Sequence, residues 1–201
     1  MTVAAYAACT PQNEHETGAF LRDALLFTFL SVTEPEKVVY RTAQGRPMLT
    51  LHACDLSISH SHGIAAAALS FPGARPLPAF SDGELTLIDA SPAAYRIGMD
   101  IETLADKRRA RAESIAKRVF SPSEQQTLQC APDDEAYLQR FVTIWTAKES
   151  YVKAAGVGLA GLSDADTHSL PSGFSLSSRA LSLGGQPFIL SVILQSPAAA
   201  E

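Results

Sequence analysis

A chain of 201 residues, 46% of them hydrophobic and 18% charged, is too apolar to be disordered and long enough to bury a core, as one large domain or as two small halves sharing an interface. Its formal net charge of −5 argues against bulk attraction to nucleic acid or to an anionic membrane, so an acidic partner has to meet a local basic patch. Cys9, Cys54 and Cys130 form no CxxC pair and leave an odd thiol, which suits a reducing cytoplasm better than a disulfide framework or a zinc site.

Met1 to Thr10 is apolar without a basic leader, and Gly18 to Val32 is interrupted by Arg22 and Asp23. Neither reads as a signal peptide or a membrane span, and a soluble cytoplasmic protein is expected. Glu16 to Ser31 places Phe20, Leu21, Ala24, Leu25, Phe27 and Leu30 largely at helical spacing and predicts an amphipathic helix, limited by Pro35. Short β-like runs follow at Val38 to Arg41, Asp55 to Ser59 and Ile64 to Ser70, separated by Gly45-Arg46-Pro47 and by His60 to Gly63. Phe71 to Asp82, rich in Pro and Gly, reads as a loop, after which Glu84 to Asp89 and Tyr95 to Glu102 look like paired strands. Ala105 to Phe120 is helical, and Ser121-Pro122-Ser123-Glu124 is a capping box with Pro at the first helical position. Asp133 to Ala155 is a long helix stopped by Gly156 and Gly158, and the tail carries strand-like Phe174 to Ser178 and Pro187 to Leu194. The result is an α+β chain of two comparable halves, 1–90 and 91–201, packed as one unit and without a repeat visible in the residues.

Three clusters carry candidate chemistry. Asp100 and Glu102 stand two apart in a strand, so both carboxylates leave the same face, roughly 7 Å apart at the backbone. Two like charges there call for a cation, and a hard divalent ion such as magnesium takes oxygen ligands; an exposed polar strand face is the plainer alternative. On the long helix, Lys153 follows Glu149 by one turn, which equally describes an ordinary surface pair. Ser57-Ile58-Ser59-His60-Ser61-His62-Gly63 runs from a strand into a turn, where His60 could hydrogen-bond a phosphate oxygen with the Ser hydroxyls and turn amides assisting; a turn-stabilising segment is the alternative, and spacing alone does not separate His60 from His62.

Taken together, Gly98-Met99-Asp100-Ile101-Glu102, then Trp145-Thr146-Ala147-Lys148-Glu149-Ser150 with Lys153, preceded by Gly45-Arg46-Pro47 and Ser59-His60-Ser61, resemble the signatures of 4'-phosphopantetheinyl transferases of the surfactin-synthetase-activating type. The resemblance runs from about Gly18 to Leu162. It implies a pseudo-twofold fold of two similar helix-plus-antiparallel-sheet halves with coenzyme A in the cleft between them. It further implies transfer of phosphopantetheine to a serine of an apo acyl or peptidyl carrier protein, releasing 3',5'-ADP. Asp100, Glu102 and Glu149 match the family's metal-binding residues, with Mg2+ as the ion. Lys148 and Lys153 match basic residues near the coenzyme A diphosphate, and Arg46, Ser59 and His60 match the segments reaching its phosphates. Glu149 is the expected general base, with Lys153 beside it.

Lys107, Arg108, Arg109, Arg111, Lys117 and Arg118 form a basic patch just after the acidic pair. Near Arg108, Arg109 and Phe120 it is the expected docking face for an acidic carrier, although a solvated helix face would read alike. Longer family members begin with a further segment supplying basic residues, after which this chain is expected to start; Arg22, Arg41 or Arg75 are candidates to compensate. The stretch from Ser70 to Arg96 is long between the motifs and reads as an added hairpin. Competing readings are an inactive module that binds carrier or coenzyme A, and a metal-dependent phosphoesterase. Two halves let one chain build a complete site, so a monomer is expected.

Overall fold

The computed structural model describes residues 1–43, 45–80, 83–90, 96–105 and 107–196. Its first half contains β1 (Thr2–Ala8), α1 (Glu14–Leu30), a small hairpin of β2 (Val39–Arg41) and β3 (Pro47–Leu49), then β4 (Asp55–Ser61), β5 (Ile64–Ser70) and β6 (Glu84–Asp89). The second half contains β7 (Arg96–Thr103), α2 (Arg109–Val119), α3 (Pro122–Gln129), α4 (Asp134–Ala155), β8 (Phe174–Leu183) and β9 (Gln186–Gln195). The boundary expected between residues 90 and 91 adjoins 91–95, outside the described residues.

A repeat invisible in the residues is plain in the topology. Each half runs strand, helix, hairpin, and the second hairpin strand pairs antiparallel with the opening strand, giving the orders β4-β5-β1 and β8-β9-β7. Both hairpins close on two residues with positive φ, His62-Gly63 and Gly184-Gly185, the turn whose twist matches paired strands.

The layers stack helix, sheet, sheet, helix. Val3, Ala5, Ala65, Ala67 and Leu69 lie under Leu21, Leu25, Leu26 and Phe29 of α1. The alternate residues, Ala4, Tyr6, Ala66 and Ala68, face Ile97, Met99, Ile101, Phe188, Leu190 and Val192 of the second sheet. β1 and β5 are therefore buried on both faces, which explains their nearly unbroken apolar sequence. β1 was not expected as a strand: alanine has little β-preference, and burial in the sheet decides its conformation.

Three expectations need correction. β6 does not pair with β7; it adds to the free edge of β1, with Val3 opposite Leu87, while β7 pairs with β9 on one edge and meets the side chains of β4 on the other. Within the 70–96 stretch, expected to be a hairpin of its own, the described strand β6 thus extends the first sheet. Phe20 and Phe27 face solvent, 54% and 60% exposed, since the buried stripe of α1 is Gly18, Leu21, Leu25 and Phe29, on the opposite side. The second-half helix begins at Arg109 rather than Ala105. Of the other expected elements, the capping box at Ser121 and Glu124 forms with both of its hydrogen bonds, and Gly156 ends α4 in a left-handed conformation at φ 72°.

Candidate active site

The two halves meet at β4 and β7, which are joined by side chains instead of a backbone ladder. Every second residue of β4 faces β7. Asp55 Oδ2 accepts the Ile97 N–H at 2.8 Å, and Ser57 Oγ accepts the Met99 N–H at 2.9 Å. Further along, the Ser59 hydroxyl donates to Asp100 Oδ1 at 2.6 Å and the Ser61 hydroxyl to Glu102 Oε2 at 2.8 Å. This polar stripe holds both carboxylates of the acidic pair.

α4 lies over the same strand. Gly98 permits the approach: a Cβ there would run into the backbone of Ser150 and Ala154. Lys153 Nζ consequently reaches Asp100 Oδ1 at 2.8 Å, the Met99 carbonyl at 3.0 Å and Ser59 Oγ at 3.1 Å. Glu149, one turn earlier, faces the same group of charges. Burial raises its carboxyl above the usual range, the negative charges of Asp100 and Glu102 raise it further, and Lys153 opposes them. Burial likewise pushes Asp100 up, against the pull of Lys153 and Ser59.

A cleft of about 590 Å³ opens beside this cluster, walled by α1, the β2–β3 hairpin, β4 and the end of α4. Among the described residues its lining includes Arg41, Arg46, Arg96, Lys153, His15 and His60 against one carboxylate, Glu149. That balance suits an anionic ligand. Arg41 lines it, whereas Arg22 is paired with Asp23 at 2.6 Å and Arg75 donates to the Phe29 carbonyl at 2.5 Å, away from the cleft. Arg46 forms part of the wall, its guanidinium held by Asp55 at 2.5 Å and by the Ile97 carbonyl at 3.0 Å. His60 lines the cleft while the exposed His62 sits in the hairpin turn with Nδ1 on Ser61, which separates the two histidines.

Several expected roles do not survive. Lys148 is fully buried and points into the opposite side of α4, where its Nζ donates to Glu124 Oε2 at 2.8 Å and to the Ala165 carbonyl. Adjacent helical residues diverge by about 100°, so Lys148 cannot share the face of Glu149 as Lys153 does. Ser59 is 6% exposed and grips Asp100 and Lys153 rather than the cleft space. Phe120 is buried in a stack with Phe141, centroids 5.3 Å apart, and offers no surface. In the basic patch, Lys107 holds Glu102 at 2.6 Å, and Arg109 is engaged by Glu113 and Asp134 and lies over the Tyr137 ring. Arg108, Arg111, Lys117 and Arg118 remain exposed.

Among the described residues, no three His, Cys, Asp or Glu side chains are gathered as a metal cluster. The donors nevertheless fit a hard cation in kind. All are carboxylate oxygens, and Oδ2 of Asp100 is buried with no hydrogen-bond partner. Sequence reasoning included Ser57 in the Ser-His segment but missed Asp55, Glu14 and Arg96 at the site; the alternation of Asp55, Ser57, Ser59 and Ser61 is the signal that marks a polar strand face.

Residues 96–183 match the family model described as the 4'-phosphopantetheinyl transferase superfamily. The chain is 29% identical over 146 residues to the 4'-phosphopantetheinyl transferase HetI of Nostoc sp., covering 70% of this chain and 51% of that protein. It is 33% identical over 113 residues to a 4'-phosphopantetheinyl transferase of Bacillus subtilis, covering 49% and 46%. It is also 33% identical over 93 residues to the L-aminoadipate-semialdehyde dehydrogenase-phosphopantetheinyl transferase of Rattus norvegicus, covering 42% and 30%. The chain thus spans about half the length, or less, of these relatives.

Proposed function

We propose that this chain, whose residues 96–183 match the 4'-phosphopantetheinyl transferase superfamily model, transfers 4'-phosphopantetheine from coenzyme A to a serine of an apo acyl or peptidyl carrier protein. The observation that carries the proposal is the cationic cleft ending at Glu149 and Lys153 beside the buried Asp100.

In this reading Arg41, Arg46, Arg96 and His60 hold the phosphates of coenzyme A along the cleft, and Lys153 stands at the diphosphate. Asp100, Glu102 and Glu149 would hold Mg2+, which when bound supplies positive charge against the charge that develops on the phosphoryl oxygens. Glu149 takes the proton of the carrier serine, a role suited to a carboxyl that burial and the charges of Asp100 and Glu102 hold above its usual range. The serine oxygen bonds to the phosphorus bearing pantetheine, the bond from that phosphorus to the bridging oxygen breaks, and 3',5'-ADP leaves. Ser59 and Ser61 orient the carboxylates.

The exposed Arg108, at the N-cap position of α2, with the exposed Arg111, Lys117 and Arg118 within it, forms the docking face for an acidic carrier. Reversing charge at Arg108 and Arg111 is expected to raise KM for the carrier several-fold and leave that for coenzyme A unchanged; equal effects on both remove the docking assignment. One chain contributes both walls of the cleft, which favours a monomer. Among the described residues no helix is long and apolar enough to cross a membrane, and the three cysteines are free, in keeping with a cytoplasmic site of action.

Intact-protein mass spectrometry of apo carrier proteins with this chain, coenzyme A and Mg2+ tests the whole reading. The expected result is a phosphopantetheine mass gain abolished by EDTA. A folded protein that modifies no acyl or peptidyl carrier overturns it.

A further inference from the structure

Glu14, in the first turn of α1, makes two contacts that no step above uses. Its Oε1 accepts the N–H of Gly63 in the β4–β5 turn, and its Oε2 lies 3.1 Å from Nδ1 of His60. The Glu14 side chain is only 13% exposed, and the His15 ring packs edge-on against His60, centroids 4.1 Å apart. A carboxylate has no proton to give, so His60 must carry one on Nδ1. The remaining ring nitrogen, Nε2, is the one left for a ligand. In the neutral ring it bears a lone pair and would meet a phosphate oxygen acceptor to acceptor.

We propose that Glu14 is a positioning residue that fixes the Nδ1 proton of His60, so that His60 can donate to a phosphate group in the cleft only after Nε2 takes up a second proton. Binding of coenzyme A then carries one proton with it, an inference that rests on the coenzyme A reading above.

Glu14 and Glu149 favour the doubly protonated ring while Arg41, Arg46, Arg96 and Lys153 oppose it, so it is the negative charge of the bound phosphate that draws the second proton onto Nε2. Glu14 and His15 contact the ring from α1; Arg41 and Arg46 of the hairpin, Arg96 of β7, and Glu149 and Lys153 of α4 line the same cleft; β5 sets Ala65 opposite. Arginine and lysine stay charged through neutral pH, whereas histidine ordinarily changes charge between about pH 5 and 8. His15, the other histidine of the cleft, is therefore the control.

Glu14→Gln discriminates. Its amide oxygen keeps the Gly63 N–H, and its NH2 now donates to Nδ1, which moves the proton of the neutral ring to Nε2 and turns it toward the phosphate as a donor. Long-range proton–nitrogen NMR of the ligand-free wild type is expected to show the Nδ1–H tautomer in neutral His60, and Glu14→Gln the Nε2–H tautomer. Calorimetric titration of coenzyme A from pH 7 to 8.5, above the titration of its own phosphate monoester near about pH 6, is expected to show Kd rising toward tenfold per pH unit in the wild type. The slope should persist in His15→Gln and flatten in Glu14→Gln and His60→Gln.

A wild-type Nε2–H tautomer, which needs no variant to fold, overturns the inference. Equal slopes in wild type and Glu14→Gln overturn it while leaving the coenzyme A reading intact. Absence of coenzyme A binding at every pH overturns both.

Discussion

The pseudo-twofold topology supplies two seams, and among the described residues only one of them opens into a candidate site. At the first, β4 and β7 face each other through Asp55, Ser57, Ser59 and Ser61, a cleft opens beside them, and three carboxylates and a lysine converge. At the second, the symmetric partners are β8 and β1, but β6 has added itself to the edge of β1, and β8 meets β6 instead, with Arg179 donating to Thr86 Oγ1 at 3.0 Å. Duplicating a scaffold therefore does not duplicate a site. Chemistry gathers where the sheet edges were left without ladder partners and polar side chains had to satisfy the backbone.

The sharpest way to break this contrast is Glu149→Gln. If the first seam is arranged for chemistry, transfer falls about 10²–10⁴-fold, while coenzyme A affinity holds. Stability should move the other way. A carboxyl raised in the folded state contributes stability that is present below its unfolded pKa and lost as pH rises through the folded value. At pH 7 wild-type Glu149 therefore costs stability that Gln does not. The variant's Tm, followed by calorimetry, should sit at or above the wild type's at neutral pH and converge with it under acid conditions. Transfer at the wild-type rate would remove Glu149 from the mechanism.

Lys148 provides the counter-case on the same helix. Its ammonium is the buried partner of Glu124, which also caps α3 and accepts from Thr167 N and Oγ1, each at 2.8 Å. Lys148→Met leaves that carboxylate uncompensated, and denaturant unfolding should lose about 3–5 kcal/mol. The protein that remains folded should transfer normally, since this lysine touches no part of the cleft. A selective loss of rate at full stability would return Lys148 to the site.

These cases mark how far the residues alone could be read. Asp100 and Glu102 were legible because a strand has period two, and Lys153 because it lies four residues from Glu149. Lys148 was misassigned because a motif transfers residue types without their helical phase. Glu14 and Asp55 went unseen because the contacts that bring them to the site, with Gly63 and with Ile97, span 49 and 42 residues, where no local periodicity reports. The pairing of β6 was equally illegible: its pattern specifies a strand, and only the edge left open by β1 decides which neighbour it takes.

Ser57 shows what the polar stripe contributes apart from catalysis. Its hydroxyl satisfies the N–H of Met99 in the buried seam, and Ser57→Ala leaves that donor without its partner. The expected loss is about 1–3 kcal/mol by chemical denaturation, with transfer per folded molecule reduced as β7 loosens beneath Asp100.

Arg179→Ala makes the matching cut at the second seam, and there the outcome should be small. The Arg179–Thr86 hydrogen bond is exposed, so water replaces it at little cost, and a surface change of this kind stays within about 0.5 kcal/mol. Because β6 already has its ladder with β1, the closure of that seam depends on backbone pairing and on Leu85 and Leu87 against the first core, with Ile88 against the second. The side-chain bridge is incidental to it. If Arg179→Ala instead matched Ser57→Ala in stability and also slowed transfer, the second seam would be carrying load for the first, and the view that β6 simply closes it would have to be given up.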